Sequence, residues 1–416
     1  MTKDRPLRIA FRVGRFPKLS ETFIISQIEG MIARGHRVSV LADGPHDGPH
    51  DDEGSGALSG RFAKLDGPEY ILPRNSLLAG ACMRMPYRIR RALAAARERR
   101  LCMENDVVVC NFGWAGATVA QSVGGRPRRA CIVTIFHGDD MSRALTQARP
   151  DIYAELFREG DLLVPVSEFW RRRLVDMGAP EAKLVVHHMG VELEKYPFTP
   201  PSTLGGPDAG RPFELVTVGR LVEKKGTEFT LRALAHLRET APEARFRLRV
   251  VGDGPLRPRL EALCGELGLR DHVEFLGALA HACVAQVLAR ADAFVLPSVV
   301  ASDGDMEGIP VSLMEAMASG LPVVSTRHSG IPELVEHGVS GLLAAERDVE
   351  GLARQLGRIM SDAEARAAFA RAARRTIEQH FDGRRLNDRL EVLLRRLAGG
   401  GEREVPAFQD HLFGRA

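Results

Sequence analysis

Along the chain, short uninterrupted apolar runs alternate with longer amphipathic stretches. The first three elements read strand, helix, strand: LRIAFRV at 7–13, a helix over 20–34, and HRVSVLA at 36–42, with Gly35 where a helix C-cap belongs. Short joins in that order predict a βαβ unit and a parallel sheet. Further buried strands are predicted at DVVVCNF (106–112), ACIVTIF (130–136), DLLVPVS (161–167) and AKLVVHH (182–188). Residues 44–60 are polar and glycine-rich, a surface loop.

Proline and glycine then cluster at 199–213 (TPPSTLGGPDAGRPF), which fits a domain boundary. Beyond it the alternation restarts, with strands at 214–218, 245–251, 272–276, 293–297 and 322–326 and helices at 226–240, 255–268, 281–290 and 310–319. An Arg- and Leu-rich helix covers 361–398. The expectation is an α/β protein of two doubly wound Rossmann-like domains facing across a cleft. The first occupies 1–200 and the second 201–385, and 386–416 is a helical tail that could pack back on the first.

A length of 416 residues supports two cores, and 44% hydrophobic with 27% charged residues is a globular composition. The net charge of +3 points to no particular partner. Six scattered cysteines form no CxxC pair and no zinc-spaced cluster, so they read as reduced thiols. No apolar run reaches membrane-spanning length, and the N-terminal apolar stretch is too short for a signal peptide. A cytoplasmic protein is expected, with a peripheral contact at the inner face of the plasma membrane left open. Aromatic residues are too sparse for a nucleic-acid stacking platform.

Two stretches carry the chemistry. In ELVTVGRLVEKKG (214–226) a buried strand ends in Gly219-Arg220, and Lys225 follows five residues on, just before Gly226 and a helix. Two cations at a strand end form a clamp for an anion; Gly219 admits backbone N–H, and the helix adds its positive end. A surface turn with basic residues is the alternative. In ASDGDMEGIPVSLMEAMASGLPVVST (301–326), Glu307 lies in a loop and Gly308-Ile309-Pro310 opens a helix, with Pro310 in its first turn. Glu315 falls on an apolar stripe of that helix, where a carboxylate is costly unless paired or hydrogen-bonded. Sugar or ribose hydroxyls are suitable donors; a structural ion pair is the bland alternative.

Taken together, Gly219-Arg220-Leu221 with Lys225-Gly226, the glutamates Glu307 and Glu315 eight residues apart, and Ser329-Gly330-Ile331-Pro332-Glu333 resemble glycosyltransferase family 4, whose members have the GT-B fold. The segments FPKLSETFI (16–24), FGWAGATVA (112–120), TIFHGDDMSR (134–143), VPVSEFWRRRL (164–174) and VVHHMGVELEKYPF (185–198) look like exopolysaccharide transferases of the colanic-acid and amylovoran type. The resemblance implies a retaining hexosyltransferase using a nucleotide-sugar donor and a saccharide or lipid-linked saccharide acceptor. By it, Arg220 and Lys225 bind the diphosphate, Glu307 contacts the transferred sugar, Glu315 binds the ribose, and His137 reaches the donor sugar. On sequence alone His137 reads first as a satisfied strand-end histidine, and the resemblance reverses that weighting. No protein nucleophile is evident, so the leaving phosphate would help deprotonate the acceptor hydroxyl.

The segment FPKLSETFI stands where the wider family has a glycine-rich phosphate loop. Only Gly14 remains, and Phe16-Pro17-Lys18 replaces the rest. Ser20 reads as an N-cap with Leu19 and Ile24 as a hydrophobic staple. Lys18, Ser20, Glu21 and Thr22 could line the acceptor side. Asp303-Gly304-Asp305 could suggest a metal, but Arg220 and Lys225 already answer the phosphate charge; no metal or cofactor is expected. The arginines of RMPYRIRRALAAARERR (84–100), among them Arg84, Arg88, Arg90 and Arg91, could lie on anionic lipid or form a solvated face. Two rival readings are an epimerase or phosphorylase on the same fold, and a non-catalytic nucleotide-sugar-binding subunit of an assembly complex. Presence of all four of Arg220, Lys225, Glu307 and Glu315 disfavours the epimerase and the subunit, and no pyridoxal-phosphate lysine context supports the phosphorylase.

Overall fold

The computed structural model describes residues 5–17, 21–44, 69–70, 86–147, 151–199 and 210–399. They divide into two compact units, each built on a six-stranded parallel sheet. Unit 1 holds the described residues up to Met141, then Gln147–His187 and the chain from Arg384 onward; unit 2 holds Ser142–Thr146 and His188–Gly383. The linker residues 200–209 and the loop residues 45–60 lie outside the described residues.

In unit 1 the strands are β1 (Arg8–Arg15), β2 (Arg37–Gly44), β3 (Glu69–Tyr70), β4 (Val107–Asn111), β5 (Cys131–Phe136) and β6 (Leu162–Pro165), in the order β3-β2-β1-β4-β5-β6. Strands are buried on both faces, as a sheet covered by helices on each side requires: every residue of the central β4 and of the edge strand β6 is buried. The covering helices include α1 (Thr22–Ala33), α2 (Tyr87–Glu104), α3 (Gly113–Val123) and α4 (Glu168–Asp176).

The strand expected at 182–188 does not form. After a 3-10 turn at Glu181–Lys183, only Leu184 makes a bridge, to Leu163. Val185 N–H donates to Leu163 C=O and His187 N–H to Pro165 C=O. The return bond of a parallel ladder would need the N–H of Pro165, which proline lacks, so pairing stops.

Unit 2 carries β7 (Phe213–Val218), β8 (Phe246–Val251), β9 (Val273–Gly277), β10 (Ala293–Leu296), β11 (Val323–Thr326) and β12 (Leu342–Ala344), ordered β12-β11-β10-β7-β8-β9. Its helices include α5 (Thr227–Thr240), α6 (Arg257–Glu266), α7 (His281–Leu288), α8 (Val311–Ser319), α9 (Val349–Ser361) and α10 (Ala363–His380). Phe213, Leu231, Leu234, Leu248, Val295, Leu352 and Phe369 are among the core residues. Asp348 and Asp362 cap α9 and α10 by accepting from Gly351 and Ala365 N–H.

The single helix expected over 361–398 is two, broken where the Phe381 C=O and Gly383 N–H turn aside to bond Val191. The second, α11 (Gly383–Ala398), belongs to unit 1 from Arg384 on. It packs on α1 closely enough that a Cβ on Gly30 would fall 2.5 Å from Asn387 Nδ2. Arg34 pairs with Asp388, and His36 Nε2 lies 3.1 Å from Glu391.

Candidate active site

Each unit's strand order has a switch point, and the charged motifs sit at that of unit 2. From β7 the chain winds one way through β8 and β9, and from β10 the other way through β11 and β12. The switch point therefore lies between β7 and β10, and ligands of such sheets bind beyond the strand ends there. Gly219-Arg220 follows β7, the loop carrying Glu307 follows β10, and His328–Glu333 follows β11.

The glycines of the first stretch are dictated by space. A Cβ on Gly219 would come within 3.3 Å of the Lys225 side-chain carbons, so glycine leaves room for that stem. Gly226 has φ +68, and a Cβ there would lie 1.8 Å from Pro297 C=O. It is the residue from which α5 starts. Arg220 is exposed, and its guanidinium has no partner among the described residues.

The two lysines divide the work. Lys224 Nζ sits 3.0 Å from Asp305 Oδ1 and 3.3 Å from Met306 C=O, bracing the loop. Lys225 Nζ sits 3.0 Å from Glu307 Oε1, an ion pair off the hydrogen-bonding direction. Burial works against the charged form of Glu307, but the ammonium groups of Lys225 and Lys224 outweigh it and hold the carboxyl below its ordinary value. The main chain of Glu307 is gripped as well. Its N–H donates to His328 Nε2 at 3.1 Å, and its C=O accepts from Ser329 Oγ at 2.7 Å. The N–H groups of Gly308 and Ile309 make no hydrogen bond among the described residues.

Pro310 stands one position earlier than expected. Its extended ψ of 121 makes it the cap of α8 rather than part of the first turn, and its C=O accepts from Leu313 and Met314. Glu315 is buried on α8, as its place on an apolar stripe implied. Burial raises its carboxyl above the ordinary value, opposed by a hydrogen bond from the Tyr196 hydroxyl and by His281, whose Nδ1 is 4.0 Å away. The two glutamates are thus pushed in opposite directions, Glu307 toward carboxylate and Glu315 toward the acid.

Asp303 and Asp305 are both engaged by cations, Arg143 at 3.8 Å and Lys224. Among the described residues no three His, Cys, Asp or Glu side chains converge on one point.

The unit 1 candidates gather at the ends of adjacent strands β1, β4 and β5. A Cβ on Gly14 would meet the Trp114 ring at 3.0 Å. His137 is buried between the rings of Phe23 and Phe112, and its Nε2 lies 3.1 Å from Asn111 Oδ1. Burial pushes the imidazole down to about 3, so it is neutral. Phe112 has φ +76, costly for an aromatic residue, and this turn brings its ring onto His137. Asp140 holds the turn by accepting from Gly113 N–H at 2.6 Å and His137 N–H at 2.9 Å, and burial raises its carboxyl to about 7.

Lys18, Leu19 and Ser20 lie outside the described residues, so the capping expectation for Ser20 falls there too. As described, α1 begins at Thr22 with Glu21 in the cap position. Arg84 is likewise outside. Arg88 is exposed and Arg90 half-buried, while Arg91 turns inward to Glu98 at 3.0 Å and Thr118 C=O at 2.9 Å. The exposed side of α2 instead mixes Tyr87, Ile89, Leu93 and Met103 with Arg88, Arg97 and Arg100. Sequence reasoning missed Asn111, Tyr196, His328 and Glu346; each acts through a contact distant in the chain, though His328 adjoins the Ser329–Glu333 motif.

Two doubly wound parallel sheets of this order are the architecture of the GT-B fold. Residues 207–376 match the family described as Glycosyl transferases group 1, and residues 20–195 match Glycosyltransferase Family 4. The chain is 37% identical over 413 residues to WcaL of Salmonella typhimurium, a glycosyltransferase assigned to colanic acid biosynthesis, covering 93% of this chain and 99% of that one. It is 33% identical over 417 residues to the amylovoran biosynthesis glycosyltransferase AmsK of Erwinia amylovora, covering 94% and 100%. The protein belongs to glycosyltransferase family 4, in the group of exopolysaccharide glycosyltransferases. Among solved structures, Anabaena HepE in complex with UDP-glucose shares the fold, with a TM-score of 0.72, 21% identity, and coverage of 94% of this chain and 99% of that one.

Proposed function

We propose that this enzyme transfers a hexose from a nucleotide-sugar to a lipid-linked saccharide, with retention at the anomeric carbon, during assembly of an exopolysaccharide. The observation that carries this reading is the arrangement at the unit 2 switch point. Arg220, without a partner among the described residues, and the Lys225–Glu307 pair lie beyond the strand ends, with Glu315 buried on the following helix. Arg220 and Lys225 answer a diphosphate, Glu315 accepts from ribose hydroxyls, and Glu307 with the Gly308 and Ile309 N–H groups orients the sugar. The acceptor oxygen bonds to the anomeric carbon as the carbon–oxygen bond to phosphate breaks, and the acceptor proton passes to the departing phosphate oxygen. Cations already serve the diphosphate, so no resident metal is invoked. His137, neutral and fixed by Asn111, serves as a polar contact to the donor sugar. The polysaccharide assignment follows WcaL and AmsK, and the nucleotide-sugar donor accords with a 30%-identical relative from Mycolicibacterium smegmatis named as GDP-mannose-dependent. The mixed basic and apolar face of α2 supports contact with the anionic inner leaflet.

A panel of nucleoside-diphosphate sugars tested by thermal shift checks the donor class. A specific donor at a hundred times its Kd stabilises by about 2.7 kcal/mol. Transfer from that donor should give a product of the same anomeric configuration by NMR. No stabilisation by any nucleotide-sugar, or an inverted product, would overturn the reading.

A further inference from the structure

Glu307 lies in an irregular loop, yet its position is fixed from behind by residues outside that loop. Because Glu307 N–H donates to His328 Nε2, that nitrogen carries no proton, and the proton of the neutral ring must sit on Nδ1. Nδ1 faces Glu346 Oε1 at 2.7 Å. The other oxygen, Oε2, accepts from Val300 N–H at 2.9 Å. Glu346 therefore ties both ends of the β10–α8 loop, the near end directly and the far end through His328. Neighbouring Arg347, at φ +62, donates to Val300 C=O and lies 3.8 Å from Glu223. Glu223 in turn accepts from Ser302 Oγ at 2.6 Å. His328 is fully buried, and its ring is locked by hydrogen bonds at both nitrogens.

We propose that His328 and Glu346 are positioning residues for Glu307: the turn after β12 holds the loop after β10 through one oriented imidazole, and this sets where the Glu307 carboxylate meets the sugar. The inference rests on the role given to Glu307 above. Neither residue touches the substrate. Their effect falls on turnover, because a displacement of about 1 Å at a reacting group can cost about a hundredfold. The nucleotide is held by Arg220, Lys225 and Glu315, so its affinity is spared.

The test is a double-mutant cycle in the full-length enzyme, with kcat and the Kd of the free nucleoside diphosphate measured for each variant. His328→Phe removes both ring bonds. Glu346→Gln, at the partly exposed end, turns an N–H₂ group against either Nδ1–H or Val300 N–H and leaves the core intact. His328→Gln restores an acceptor for Glu307 N–H. We expect His328→Phe to lower kcat about ten- to a hundredfold with nucleotide Kd within about twofold of wild type. Glu346→Gln should lower kcat less, and His328→Gln should recover part of it. In a Glu307→Gln background, His328→Phe should add less than about a twofold loss. An additive loss in that background, or wild-type kcat in both Glu346→Gln and a folded His328→Phe, overturns the positioning role. Wild-type activity in Glu307→Gln alone overturns instead the role of Glu307, so the two failures are distinguishable.

Discussion

Replacing Lys225 with Met keeps the unbranched stem, one atom shorter, and removes its charge. The ammonium sits 3.0 Å from Glu307 Oε1, and the two side chains are only 16% and 9% exposed. At that distance and an effective dielectric near 20 the attraction is about 5 kcal/mol, and the cost of burying the ammonium offsets part of it. A net loss of about 3 kcal/mol at neutral pH is expected, since breaking a buried pair strands the remaining charge. The pH dependence follows from the direction of the Glu307 shift. In the wild type its carboxyl is held below the ordinary value of 4.5, so its contribution is present above that value and lost as pH falls through the folded pKa. Without Lys225 the largest charge opposing burial is gone, and the carboxyl rises. The variant then loses stability as pH climbs from the ordinary glutamate range toward neutrality. Urea unfolding at about pH 5 and about pH 8 reads both effects, and the gap between wild type and variant should be wider at the higher pH. A gap below about 1 kcal/mol, or one equal at both pH values, would refute the buried-pair argument.

Glu315, raised by burial, must ionise to accept two ribose hydroxyls. Nucleotide affinity should therefore weaken as pH falls through a value above 4.5, and Glu315→Gln should cost about tenfold and flatten that dependence in calorimetry. If α2 meets the membrane, then Ile89→Ser with Leu93→Ser should abolish sedimentation with phosphatidylglycerol vesicles while transfer to a soluble acceptor persists; equal sedimentation of both proteins rules α2 out.

The sheets were legible because parallel strands buried on both faces leave unbroken apolar runs, as in Val107–Asn111 and Cys131–Phe136. The same signal misled at 182–188, where the missing N–H of Pro165 on the neighbouring strand, not the segment's own residues, ends the ladder. The one long helix expected over 361–398 failed for a similar reason: the break at Phe381–Gly383 comes from bonds to Val191, nearly two hundred residues away. At the site, Glu307 and Glu315 announced themselves by a charge in an apolar setting and by spacing. Their opposite shifts did not, because those depend on Lys225 and Tyr196 arriving through the fold. Arg91 shows the limit for charge runs, since among near-identical neighbours only geometry separates the arginine paired with Glu98 from those exposed to solvent.

The measurement that bears most directly on the central claim is turnover of Glu307→Gln with the donor identified by thermal shift. The substitution keeps the shape and removes the charge at the point where the sugar is oriented. A fall in kcat of about two to three orders of magnitude, with nucleoside-diphosphate Kd changed less than about threefold and the unfolding transition still cooperative, is predicted. Turnover within about threefold of wild type would contradict the account.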